Sequence, residues 1–442
     1  MVSVFAFFAF FAFFAFFAFF AFFALFAFSL DRRHYIVGNS NSKRYMFQAD
    51  KAKQLWDEKR YDRFIQCLPS MLTSSIAVLK YLNAMVNMDK LKDILLAIRS
   101  DSERHQNQPE YRIFHKHSME GRTSVVAFAG YMCFAAVTYM SLAVHMLVEE
   151  NANRVNASVP REFLYQVDYH VDHEKYFYPI TAHTYYVTLL VIAIIVALDT
   201  LYIIVIQHSC VLFAVLGFKL RTAHILNESV LYQGDEYKNV RILRYTVEEE
   251  NRVFRKLVGC AMEHNRALEY VKLLHAMFSR TLLAQIIVNI LSLSVSGIEI
   301  LLQRNNFDVV LGMIVWLVGD EVHLFFLCLS GQRLSDFSEN VYYDAVECMW
   351  YTFFAKSKVV YLFFVMNTLM PQQLVALKLT ALNMETFQAV RSLSSVFARL
   401  PAVSTNPAAR RSRSIVVAIQ RETWLQVTRM AASYFTVLSS TL

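Results

Sequence analysis

Residues 183–217, HTYYVTLLVIAIIVALDTLYIIVIQHSCVLFAVLG, decide the fold class. A bilayer's hydrocarbon core is about 30 Å thick and takes roughly 20 apolar residues of helix, fewer than this run supplies. Four further blocks share the pattern: 64–86, 124–147, 279–303 and 306–329. Region 359–390 is apolar but broken near Pro371, and 427–442 is apolar again. Over the 442 residues, 56% are hydrophobic and 18% charged, with a mean hydropathy of +0.34. Soluble domains average about 45–50% and about 25%. Gly (10) and Pro (7) are scarce, which argues against collagen, Gly-rich phosphate loops and Pro-rich linkers. Residues 5–28 are a nearly pure Phe/Ala repeat holding 15 of the 37 Phe, yet the other apolar blocks stand without it. The composition is that of an all-α membrane protein.

Orientation follows from Lys and Arg in the loops, because cytoplasmic loops carry the excess. Loop 87–123 has seven (Lys90, Lys92, Arg99, Arg104, Arg112, Lys116 and Arg122), whereas 148–180 has three against six carboxylates. Segment 218–278 has ten. Loops 87–123 and 218–278 are therefore expected in the cytoplasm and 148–180 outside, where Asn156-Ala157-Ser158 forms a glycosylation sequon at Asn156. With seven spans the N-terminus is cytoplasmic, the reverse of a G-protein-coupled receptor. The formal charge of +7 is spread along the chain, and basic runs interleaved with aromatics are absent, so no nucleic-acid partner is expected. None of the six Cys forms a C-x-x-C pair, and neither a disulfide framework nor a zinc site is indicated. No Walker loop, GxSxG elbow, HExxH or Rossmann fingerprint occurs, so no enzymatic activity, cofactor or metal is expected.

A series of short motifs narrows the reading. Residues 167–178 read VDYHVDHEKYFY, 207–210 read QHSC, and 260–268 read CAMEHNRAL. Then follow Gly331-Gln332, Ser338-Glu339-Asn340-Val341, Trp350-Tyr351, Glu385-Thr386-Phe387 and Ser433-Tyr434-Phe435-Thr436. In this order along 64–442 the chain resembles the insect odorant receptors, particularly those of hymenopteran type. The resemblance implies a seven-transmembrane helical bundle acting as an odorant-gated, non-selective cation channel subunit. It would sit in the plasma membrane of olfactory sensory neurons, in a heterotetramer with a shared odorant co-receptor and in contact with membrane lipid.

By the same resemblance, a volatile ligand would bind in the outer halves of the second, third, fourth and sixth helices. Here that maps to Met71, Ser74, Tyr139, Met140, Tyr185, Tyr186, Leu189, Met313 and Trp316. The blander alternative for each is packing against a neighbouring helix or lipid. The last helix would line the pore, with Val437 at an apolar constriction that closes by dewetting and Ser440 one turn outward. His170, Asp172 and His173 read as an outer-loop surface motif rather than metal ligands, and His115 and His117 as solvated. Asp320, Glu321 and His323 lie in an apolar span, where ionisable groups are expensive. Two readings stay open for them: an internal polar network or ion path, or a hydrated position near the inner face.

The expected organisation is a Phe/Ala segment at 1–30 in place of the first helix, then a basic leader at 31–63. Helices two to four follow at 64–217, a cytoplasmic loop or anchor at 218–278, and helices five and six at 279–329. The third inner loop and the start of the terminal helix fill 330–389, and the pore-lining end fills 427–442. Two departures from the family pattern stand out. The Phe/Ala repeat reads either as a translated low-complexity tract or wrong first exon, or as a true anchor. Its basic successor, with nine Lys/Arg in 31–63, conflicts with the charge rule if the second helix runs inward. Residues 390–426, with six Arg, Pro401 and Pro407, separate the two halves of the terminal-helix signature. A charge at the bilayer centre costs at least about 2.5–3.5 kcal/mol and proline breaks helices, so this segment cannot span. It reads as a retained intron, since Val390-Arg391 is encodable as a splice donor and Gln426 as an acceptor. The alternative is a genuine cytoplasmic insertion. Sequencing of the mature transcript is expected to show 390–426 removed; a message still encoding Ala408–Arg413 rejects the intron.

Overall fold

The computed structural model describes residues 54–152, 171–172, 174–226, 245–303, 307–376 and 379–399. Among the described residues, eight helices carry the architecture: α1 (Tyr61–Val86), α2 (Met88–His105), α3 (Tyr111–Ala152), α4 (Phe177–Arg221), α5 (Val247–Leu302), α6 (Phe307–Glu347), α7 (Ala355–Thr368) and α8 (Met384–Arg399). A short antiparallel pair, β1 (Val375–Ala376) and β2 (Thr380–Ala381), precedes α8. The break foreseen near Pro371 is real: α7 ends at Thr368, as a residue without an amide proton requires.

The helices are longer than the apolar blocks inside them. At 1.5 Å per residue, the 56 residues of α5 reach about 84 Å, far beyond a bilayer. Segment 218–278 is thus not all loop, because from Val247 onward it is the first half of α5. A capping box starts that helix: Thr246 Oγ1 accepts from the Glu249 amide at 3.3 Å, and the Glu249 carboxylate accepts from the Thr246 amide at 2.8 Å. Among the described residues, four helices are long and apolar enough to cross a membrane, over Tyr111–Glu149, Phe177–Arg221, Val247–Ile300 and Val309–Glu347. The block at 64–86 does form a helix, the 26-residue α1, but Pro69, Ser70, Thr73, Ser74, Ser75, Lys80 and Asn83 dilute its apolar character.

α5 is the hub, packing against α1, α4, α6, α7 and α8, while α4 lies between α3 and α6. Lipid tails are as apolar as Leu, so inside a bilayer close packing and polar links must hold helices together. Val126, Phe134 and Val137 on α3 accordingly remain exposed. The end of the bundle rich in Lys and Arg differs. There Phe213, Leu216 and Leu220 of α4, Val253 and Leu257 of α5, and Val341 and Ala345 of α6 are buried in one apolar core.

Charged pairs surround that core. Asp101 accepts from Arg266 at 2.5 Å and pairs with His208 at 3.1 Å; Lys219 reaches Glu110 at 2.9 Å and Glu263 at 2.7 Å. Burial pushes the Asp101 carboxyl up, but the His208 ring and the Arg266 guanidinium outweigh it and hold the group below its ordinary value. A depressed carboxylate stabilises the fold above its unfolded pKa, and that contribution disappears as pH falls through the folded one. Arg333 donates to Glu120 at 3.1 Å, and His117 also meets Glu120, at 3.0 Å. His117 is therefore engaged, whereas His115 is exposed as expected. Glu250 caps α7, accepting from Ser357 Oγ at 2.6 Å and the Phe354 amide at 3.4 Å.

The motifs at 207–210, 260–268, 331–341 and 350–351 fall toward this end, and most of them are packing devices. Gln207 donates to the His117 carbonyl at 3.0 Å, and buried His264 lies between Phe213 and Phe364. Ser338 accepts from the Gln372 amide at 2.9 Å, and Trp350 stacks on Tyr361 with ring centroids 6.0 Å apart. Gly331 is required by contact: a Cβ there would overlap the Leu382 carbonyl oxygen. Gly331→Ala is expected to destabilise by about 1–3 kcal/mol through overpacking. Gly259→Ala, which meets open space on α5, should be neutral or stabilising by up to about 1 kcal/mol. Thermal midpoints of the two full-length variants in detergent micelles check this; equal midpoints would remove the argument for Gly331.

Candidate functional site

Away from the charged end, α1, α3, α4, α5 and α6 enclose a cavity of about 100 Å³. Its wall is built from Ile76 of α1, Met132, Ala135 and Ala136 of α3, Ile192 and Ile195 of α4, Val288 of α5 and Val315 of α6. Helical spacing puts these on one face per element: Met132, Ala135, Ala136 and Tyr139 recur every three or four residues of α3, and Gln285, Val288, Asn289 and Ser292 do so on α5. Tyr139 and Trp316 meet edge to face across the α3–α6 seam, with centroids 5.4 Å apart at 60°. That geometry suits aromatic quadrupoles and gives a small molecule broad contact. A dry cavity of about 150 Å³ holds benzene, so this volume belongs to the scale of small organic molecules.

The deep side of the cavity is polar. Gln285, Asn289 and Ser292 come from α5, and Asp320 and His323 from α6. Ser292 Oγ donates to Asp320. His323 Nε2 lies 2.7 Å from Asp199 Oδ2, and Lys80 Nζ lies 2.5 Å from Asp199 Oδ1. With the Nε2 proton directed at that carboxylate, Nδ1 accepts from Gln285 Nε2 at 3.3 Å. Lys80, Asp199 and His323 join α1, α4 and α6 in one buried cluster. Beyond it lies a smaller void of about 40 Å³, lined among others by Lys80, Asp199, Tyr202 and Phe278. The ion cluster thus closes the cavity toward the charged end. Of the two readings left open for Asp320, Glu321 and His323, the internal network is the one observed.

The network extends toward the terminal helix. Glu321, next to Asp320, pairs with Arg391 of α8 at 3.6 Å. Phe325, one turn further along α6, meets Phe387 of α8 with centroids 5.7 Å apart. α8 itself runs unbroken from Met384 to Arg399, past residue 390.

Of the anticipated ligand residues, Tyr139 and Trp316 line the cavity together. Met71 packs with Leu55 and Cys67, and Met313 against the main core. Ser74, Met140 and Tyr185 are half-buried, while Tyr186 and Leu189 are 36% and 52% exposed on α4. Asn156, Val437 and Ser440, with His170 and His173, lie outside the described residues. What sequence reasoning missed is the contribution of α5. Gln285, Asn289 and Ser292 carry an i, i+4, i+7 polar signal within an apolar span, and that signal was available. Among the described residues no group of three or more His, Cys, Asp and Glu is placed to hold a metal ion.

Comparison with known proteins agrees with this architecture. The chain is similar to the structure of the insect olfactory receptor OR5 from Machilis hrabei, with a TM-score of 0.59 and 11% identity over 81% of this chain and 86% of that one. It is similar also to the same receptor in complex with eugenol, with a TM-score of 0.58 and 9% identity over 82% of this chain and 92% of that one. At such identities the likeness shows the fold alone. No curated protein sequence matches the chain. The family model described as 7tm Odorant receptor matches residues 61–394, which takes in every helix that lines the cavity. This multi-pass, mostly helical chain belongs to the 7tm odorant receptor family.

Proposed function

We propose that this chain is the odour-tuning subunit of a ligand-gated, non-selective cation channel, assembled with a shared co-receptor in the plasma membrane of olfactory sensory neurons. The observation that carries the reading is continuity. An apolar cavity within the bundle ends on Asp320 and His323 of α6, and nearby Phe325 meets Phe387 of α8, a contact outside 390–426. A volatile molecule bound in the cavity touches the α6 surface whose other side holds the helix leading toward the terminal segment. A ligand shifts an equilibrium only by its differential affinity, so the odorant must fit the cavity of the open state better than that of the closed one.

In this reading the N-terminus is cytoplasmic, Asn156 is glycosylated on the outer side, and the end of the chain lines the pore. Val437 forms the apolar constriction and Ser440 the polar lining beyond it. The Met71, Ser74, Tyr139, Met140, Tyr185, Tyr186, Leu189, Met313 and Trp316 set would contribute to ligand tuning, with Tyr139 and Trp316 the two already at the cavity. Removing 390–426 joins Ala389 to Val427 and makes the terminal helix continuous. The Phe325–Phe387 contact belongs to both forms of the chain.

Co-expression with the co-receptor, using the full sequence and the form lacking 390–426, is expected to give volatile-evoked cation currents in at least one. Val437→Ala in the conducting form should raise resting current or lower the ligand concentration needed; unchanged currents would remove Val437 from the gate. An N-terminal epitope should stay unlabelled on intact cells. Surface labelling together with G-protein signalling and no current would favour a metabotropic receptor instead.

A further inference from the structure

The cavity's polar side is incompletely satisfied. Gln285 and Asn289, each 2% exposed, both line the cavity. The Gln285 amide nitrogen is used twice, toward Asn289 Oδ1 at 3.2 Å and His323 Nδ1 at 3.3 Å. That leaves Gln285 Oε1 as a buried acceptor and Asn289 Nδ2 as a buried donor, neither with a protein partner. The amide orientation is that of a neutral His323: with the Nε2 proton on the Asp199 carboxylate, Nδ1 accepts from the Gln285 NH₂ and Oε1 is turned away from the ring. A buried polar group without a partner is costly, so a ligand that supplies one gains affinity that a purely apolar ligand does not.

Gln285 Oε1 and Asn289 Nδ2, an acceptor and a donor without protein partners on the polar side of the cavity, complement a group that donates and accepts through a single atom. A hydroxyl does this: its proton goes to Gln285 Oε1 while its oxygen accepts from Asn289 Nδ2. An aldehyde, ketone or ester only accepts and leaves Gln285 Oε1 unpaired. A hydrocarbon leaves both. We propose that Gln285 and Asn289 form a hydroxyl-recognising anchor, and that the chain is tuned to small apolar volatile alcohols whose hydrocarbon body lies toward Tyr139 and Trp316. This rests on the odorant-receptor reading above and names its ligand class.

The test compares n-hexanol, hexanal and n-hexane, which share a carbon skeleton length and differ in hydrogen-bonding capacity. Binding to the purified full-length chain in detergent micelles, followed by thermal shift, needs no gating. n-Hexanol is expected to bind about tenfold more tightly than hexanal, the worth of one further buried hydrogen bond, with n-hexane weakest. Gln285→Met, which removes the acceptor only the alcohol can use, should shrink the hexanol-to-hexanal ratio to near one, whereas Asn289→Leu, which removes the donor both ligands share, should weaken both and keep the preference. Equal affinities for n-hexanol and hexanal in the unmodified chain overturn the anchor, whether or not the variants fold. So does a ratio unchanged in Gln285→Met. The same compounds applied to cells co-expressing the co-receptor separate the two claims. Currents with no preference for the alcohol overturn the anchor alone; alcohol-selective binding without current overturns the channel reading and leaves the anchor standing.

Discussion

A lysine, an aspartate and a histidine sharing one buried position fix the arrangement of this bundle. Lys80, Asp199 and His323 come from three helices far apart in sequence, and none can be exposed to an apolar environment singly at acceptable cost. Removing one partner of a buried pair typically costs about 3–5 kcal/mol, because the other charge is left uncompensated. α1, α4 and α6 are therefore held at one relative height. The cavity above the cluster, the smaller void beyond it and the contact between α6 and α8 all follow from that registry.

Two different forces hold the two ends of the molecule. In the part that lipid surrounds, burying a Leu against another helix gains little over leaving it in lipid, and exposed Val126, Phe134 and Val137 on α3 show this tolerance. At the charged end, helices that outrun the bilayer meet water, and the hydrophobic effect operates again around Phe213, Leu257 and Val341. The ion pairs around that core set partner choice and register. This division explains why the short motifs cluster there. His208, His264, Gly331 and Trp350 each make a contact that few other residues could make, whereas cavity walls accept many apolar side chains of similar volume.

How much of this was legible in the chain depends on what kind of signal each feature leaves. Membrane insertion is a matter of transfer free energy summed over a local run, so 124–147, 183–217 and 306–329 announced their helices without reference to anything else. The cap at Thr246 and Glu249 is equally local, yet charge counting hid it, because a segment rich in Lys and Glu reads as a loop until its start signal is noticed. The family resemblance was legible for a related reason: anchor residues are constrained by specific contacts and keep their order along the chain.

The cavity is another matter. Tyr139 and Trp316 could be named in advance through the family resemblance; the spacing of Gln285, Asn289 and Ser292 marks one polar face of α5, but nothing local distinguishes a face lining a void from one meeting a neighbouring helix. The sequence by itself determined that the chain is a bundle of membrane helices with a charged end, since hydropathy and charge are properties each segment carries alone. Only the tertiary structure decided which faces meet, which charges neutralise one another and which hydrogen-bonding groups stay free. Those are properties of pairs, and a pair such as Lys80 with Asp199, 119 residues apart, exists only once the helices have packed.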